Sequence, residues 1–132
     1  MNTRAQGSPD PEPVIDVLIA GGGYVGLCTA LALKQGAPSL SVAVVDPAPA
    51  GAGSRDGRAS AIAAAAKRML EQLGIWTKIA ATSQPITEMI VTDSKLRDAV
   101  RPVFLTFSGS VGAGEPFAHM VPNGALVGAL AE

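Results

Sequence analysis

Hydrophobic and polar positions change period several times along this chain, and each change predicts an element. Val14 to Ala20 is almost continuously apolar, as in a central parallel strand covered on both faces. Beyond the glycines at 21, 22 and 23, Tyr24 to Gln35 places Val25, Leu27, Cys28, Leu31, Ala32 and Leu33 on a helical stripe, stopped by Gly36 and Pro38. Ser41 to Val45 is a short β-branched strand ending at Asp46, and a right-handed crossover sets it parallel to the first. Pro47 to Gly57 has no packing stripe and reads as a long connection suited to covering a ligand. The alanine-rich run from Arg58 to Leu73 predicts a second helix, with Gly74 as its cap.

Farther on, Ile75 to Ala80 predicts a short turn in which Trp76 packs against the helix end. Ile86 to Thr92 and Val103 to Phe107 predict an antiparallel pair joined by the polar segment Asp93 to Arg101. Asn123 to Glu132 has helical spacing through Leu126, Val127 and Leu130. The fold class this order predicts is α/β: a Rossmann-like dinucleotide-binding βαβ domain over residues 14–132, with a parallel sheet, flanking helices and a small antiparallel β excursion. Residues 1–13 carry three prolines and no apolar core segment, so a disordered tail is expected there, neither signal peptide nor anchor.

Composition adds mainly exclusions. Ten Lys plus Arg against 11 Asp plus Glu gives a net charge of -1, which offers nucleic acid no general attraction. Apolar stretches are interrupted by Lys34, Asp46 or Lys67 before reaching membrane-spanning length, so a cytoplasmic chain without a transmembrane segment is expected. Cys28 and His119 are each the one residue of their kind. With no spaced Cys/His cluster and no base beside a nucleophile, no metal ligand or catalytic residue is assigned. Cys28 reads as a small core residue and His119 as a packed or surface histidine.

The candidate chemistry lies at the first turn. Gly21 permits the strand-to-helix bend, Gly23 lets a pyrophosphate approach the backbone, and Gly26 permits close packing of helix on strand. The N–H groups at the helix start, at Tyr24 and Val25, point toward phosphate oxygens, with the helix dipole behind them. Asp46, twenty positions beyond Gly26, is placed to accept from a ribose diol and to repel a phosphorylated ribose, which favours FAD or NAD over NADP.

The segment Asp56-Gly57-Arg58-Ala59-Ser60-Ala61-Ile62 and the later Leu70-Glu71-Gln72-Leu73-Gly74-Ile75-Trp76 sharpen this reading. Together with the glycine turn and Asp46, they resemble the FAD-dependent aromatic hydroxylases of ubiquinone biosynthesis, within the single-component flavin monooxygenases. The resemblance implies FAD as cofactor, Arg58 beside the FAD ribose and phosphates, and Asn123 entering a helix near the flavin three positions before Leu126. It also implies NAD(P)H as reductant, oxygen as co-substrate and a small aromatic substrate, with the family's longer proteins peripheral to the inner membrane.

The resemblance covers the family's N-terminal portion only. No match to the family's downstream Gly-Asp segment follows, so this chain alone is expected to be inactive and, through an uncovered sheet edge, to self-associate. Two other readings share the βαβ unit: a stand-alone, non-catalytic dinucleotide-binding or interaction module, and an NAD-dependent dehydrogenase fragment, which the Arg58 segment disfavours.

Overall fold

The computed structural model describes residues 14–49, 52–93, 95, 97–108, 110–112 and 114–132. The expected disordered tail at 1–13 lies outside them. Strand β1 (Val17–Ala20) and strand β2 (Val42–Val45) pair in parallel, with Val17 opposite Val42 and Ala20 opposite Val45. Helix α1 (Tyr24–Gly36) is the crossover between them. The Asp16 carboxylate fastens the start of this unit by accepting the Ser41 N–H at 2.8 Å.

The β1 side chains depart from the expected two-sided burial. They alternate between half-buried and exposed, and Leu18 is 64% exposed. Among the described residues this sheet has two strands, so one face packs on α1 while the other stands open.

A second sheet replaces the first part of the helix expected from Arg58. Residues Ala59–Ala63 form strand β3, antiparallel to strand β7 (Ala118–Pro122), and only then does helix α2 (Ala64–Gln72) begin. Alanine's helix preference is worth at most about 0.7 kcal/mol per residue over most other residue types. Here β7 satisfies the backbone, and period-two alternation puts Ile62 into the core while Ala61 faces outward.

Strand β4 (Gln84–Ile86) pairs with the other edge of β7, giving the order β3-β7-β4. The run expected as one strand from Ile86 to Thr92 is therefore divided. Its second part, strand β5 (Glu88–Thr92), leaves the sheet and pairs with strand β6 (Val103–Ser108) as an antiparallel hairpin. Between α2 and β4 lies helix α3 (Trp76–Ile79), and the chain closes with helix α4 (Asn123–Ala131).

The core sits where α4, α2 and α3 meet the β3-β7-β4 sheet. Leu70, Ile79, Val121 and Leu126 are its fully buried centre, with Ile62, Ile75, Trp76 and Leu130 around them. Helix α1 docks on this core through Tyr24, Leu27, Cys28 and Leu31, which joins the parallel unit to the second sheet. Cys28 is half-buried, and burial pushes its thiol pKa up, as expected for a packing residue. Buried Trp76 packs edge-to-face against His119, ring centroids 5.1 Å apart. His119 is thus a packed core residue, and its Nδ1 is buried without a hydrogen-bond partner among the described residues.

Candidate functional site: a cavity between the glycine turn and helix α4

The glycine turn is built by two backbone constraints. Gly21 has φ 111°, a conformation that side chains other than hydrogen resist. At position 26, an added Cβ would lie 1.9 Å from the Gly21 carbonyl oxygen, so the first turn of α1 closes on the end of β1 only because that atom is missing. Gly23 differs: among the described residues an added Cβ there meets nothing within 4 Å. Helix α1 thus starts beside open space, with no acidic residue in its first turn to oppose an anion.

Asp46 ties the end of β2 to this turn. One carboxylate oxygen accepts the Gly22 N–H at 2.6 Å and the other accepts the Ala48 N–H at 2.7 Å. These backbone donors, Gly22 foremost, hold the Asp46 carboxyl below its ordinary range, so it is an anion at neutral pH. Each oxygen retains acceptor capacity beyond the one N–H it receives.

Opposite the turn, β3 and α4 assemble a polar cluster. Arg58 precedes β3 and donates through Nε at 2.9 Å and Nη2 at 2.9 Å to the two oxygens of Asp56, whose Oδ1 also accepts the Arg58 backbone N–H. Asn123, at the start of α4, donates from Nδ2 to Asp56 and accepts the Ser60 hydroxyl at 2.7 Å. The Arg58 guanidinium, then its backbone N–H, hold the Asp56 carboxyl far below the usual carboxylate range. Asp56 and Ser60 are members of the cluster that sequence reasoning missed. The usable signal was their alternation with Arg58, which is strand-like where the alanine content suggests a helix.

Between turn and cluster lies a cavity of about 840 Å³. Gly23, Tyr24, Asp46, Arg58 and Asn123 all line it, with Leu27, Val127 and Leu130 as apolar wall. The loop expected over Pro47 to Gly57 contributes Pro49 and a 3₁₀ turn at Ala52–Arg55 to the same cavity. Gly21, Val25 and Gly26 instead line a smaller cavity of about 380 Å³ with Ile19 and Thr29. The structure therefore brings five of the eight sequence-selected residues to one space and leaves three on the other side of the turn. Among the described residues, no group of three or more His, Cys, Asp or Glu could hold a metal ion.

A model of the FAD dependent oxidoreductase family matches residues 16–112. The chain belongs to that family. It is 39% identical over 115 residues to the ubiquinone hydroxylase UbiL of Rhodospirillum rubrum, an alignment covering 85% of this chain and 25% of that protein. The chain spans about a quarter of the length of this curated relative. Among solved structures, the flavin-dependent monooxygenase PieE, crystallised with FAD and substrate, superposes with a TM-score of 0.60 at 22% identity, over 91% of this chain and 22% of that one. The tetracycline destructase Tet(51) superposes with a TM-score of 0.54 at 19% identity, over 89% and 27%. These likenesses show that the chain shares the fold of part of a flavin monooxygenase, and membership of the FAD dependent oxidoreductase family makes FAD its cofactor. The site suits it: free space and helix N–H groups for a pyrophosphate, an anionic acceptor at the strand end, and a fixed guanidinium on the far wall. No helix among the described residues is long and apolar enough to cross a membrane.

Proposed function

We propose that this chain, over residues 14–132, is the FAD-binding N-terminal portion of a flavin-dependent monooxygenase that hydroxylates an aromatic ring with NAD(P)H and oxygen. The observation that carries the reading is the single cavity shared by the glycine turn, Asp46 and Arg58. In it the first turn of α1 takes the pyrophosphate, Asp46 accepts from a ribose hydroxyl, and the Arg58 guanidinium meets phosphate oxygens. Gly21 and Gly26 hold the turn in shape, and the Tyr24 N–H completes its donor set. FAD bound there supplies the redox and oxygen chemistry, while the protein binds, orients and excludes water. The 39% identity to a ubiquinone hydroxylase supports an aromatic substrate of the quinone-precursor class.

Calorimetric titration with FAD, with NAD as comparison ligand, tests the assignment. Gly23→Val is a suitable control, because an added Cβ at this position projects into open space, where a ligand would meet it. Saturable FAD binding that weakens at least about tenfold in the variant, with an unchanged melting curve, is the expected outcome; loss of one charge-assisted phosphate contact corresponds to about that factor. Equal affinity in both chains would place the cofactor elsewhere.

A further inference from the structure

Asn123 lines the cavity, yet its polar atoms are already engaged. The residue is 6% exposed. Its backbone N–H donates to the Arg58 carbonyl at 2.8 Å, its Nδ2 donates to Asp56 Oδ2 at 3.1 Å, and its Oδ1 accepts from Ser60. The amide orientation is fixed by its neighbours, since an ionised Asp56 can only accept and must therefore face the NH₂ group. Asp56 is saturated in turn: its oxygens take the Arg58 N–H, Nε and Nη2 as well as Asn123. Arg58 is gripped at both ends by this arrangement, its carbonyl by Asn123 and its guanidinium by Asp56. Its side chain remains 83% exposed at the cavity, and these contacts leave Nη1 uncommitted.

We propose that Asn123 is a positioning residue whose side chain makes no contact with the dinucleotide and instead acts through Asp56 to aim Arg58 at it. This rests on the FAD-binding reading above and adds to it a division of labour. Arg58 supplies the charge. Asp56 fixes the plane of the guanidinium, and Asn123, steadied by Ser60, fixes Asp56. The relay has a physical reason: a long, exposed arginine loses rotamer entropy when it pins a phosphate, and a preformed fork removes that cost from the binding step. Without the amide, Asp56 keeps its charge beside the ligand path but loses the contact that holds it.

The test uses the full chain with Asn123→Ala, Arg58→Ala and the double variant, and Ser60→Ala as a milder break should Asn123→Ala not fold. In the ligand-free chain, the Arg58 Nε–H resonance is expected to be sharp and protected, and to broaden into solvent exchange in Asn123→Ala or Ser60→Ala, while the buried Trp76 indole resonance keeps its position. In FAD titrations, Asn123→Ala should weaken binding about tenfold when Arg58 is present and less than about twofold when it is absent, the non-additivity of residues acting through one another. An unchanged Nε–H resonance, or the same loss of affinity in both backgrounds, would overturn the proposal. If the unaltered chain shows no saturable FAD binding while the Nε–H resonance still responds, the cofactor assignment falls and the positioning of Arg58 by Asn123 stands.

Discussion

At the scale of single residues, two short-range requirements dominate. Gly26 gives way least, because a methyl group there would overlap the Gly21 carbonyl oxygen. Gly26→Ala is expected to lower stability by about 3 kcal/mol, the upper end for forced overpacking, and thermal melts would show it as a large fall in midpoint. Asp46 is a second such point. Its carboxyl is held below the unfolded value of about 3.9, so its contribution is present above that pH and lost as pH falls through the folded value. Asp56, lowered chiefly by the Arg58 side chain, behaves the same way. Melting temperature should therefore be flat from pH 8 to about 5 and fall below about 4, and Asp46→Asn should be less stable at pH 7 with a shallower acid limb. A fall between pH 7 and 6 would exclude both groups as the cause.

The close packing at Gly26 was legible in the chain because it depends on local spacing. The tie of Asp46 to the Gly22 and Ala48 N–H groups was not, since the sequence points that carboxylate only toward a ribose. Nor were Asp56 and Ser60, because their roles depend on the register of β3 against β7, which brings Ser60 opposite Val121 across a long sequence separation.

At the scale of elements, the decisive competition is over residues 59–63. Local propensity favours helix, while pairing with β7 and burial of Ile62 favour strand, and the tertiary choice prevails. Ala61, outward-facing and opposite Met120, separates the two cleanly. A β-branched residue fits a strand and is mildly unfavourable in a helix, so Ala61→Thr should leave stability unchanged or raise it by up to about 0.5 kcal/mol. A clear loss in a urea melt would argue for the helical alternative.

Helix α1 follows its stripe and stop signals, and the antiparallel pairing of the hairpin follows its composition, although the first of its strands begins at Glu88 because Ile86 joins β4. Strand β7 was not legible. Its sequence, Ala-His-Met-Val-Pro, is short and ends in proline, and it becomes a central strand only because β3 and β4 flank it.

At the scale of the whole molecule, the βαβ unit and the second sheet share one core, whereas the β5 and β6 hairpin stands outside it. Every residue of both strands is exposed, including Ile90, Phe104 and Phe107. An apolar hairpin of this kind is a surface that other chains will seek, and self-association through it is the expected behaviour at high concentration. Nothing in the sequence distinguished these strands from core strands, since exposure is decided by what the rest of the fold covers.

The pairing of β4 with β7 carries a consequence for chain topology. Ile86 sits directly opposite Ala118, so the hairpin is a closed excursion whose two ends already touch. In polymer terms it is a loop tied off at its neck, and the entropy of closing that neck is a burden on folding. Shortening the excursion several-fold, by replacing residues 88–114 with a brief Gly-Asn linker, should relieve about 1–2 kcal/mol of that burden, at roughly 0.6 kcal/mol per halving of loop length. The contracted chain is expected to melt no lower than the parent and to sediment as a monomer. A collapse of the melting transition would mean that the excursion serves as a scaffold for the neck that it now only lengthens.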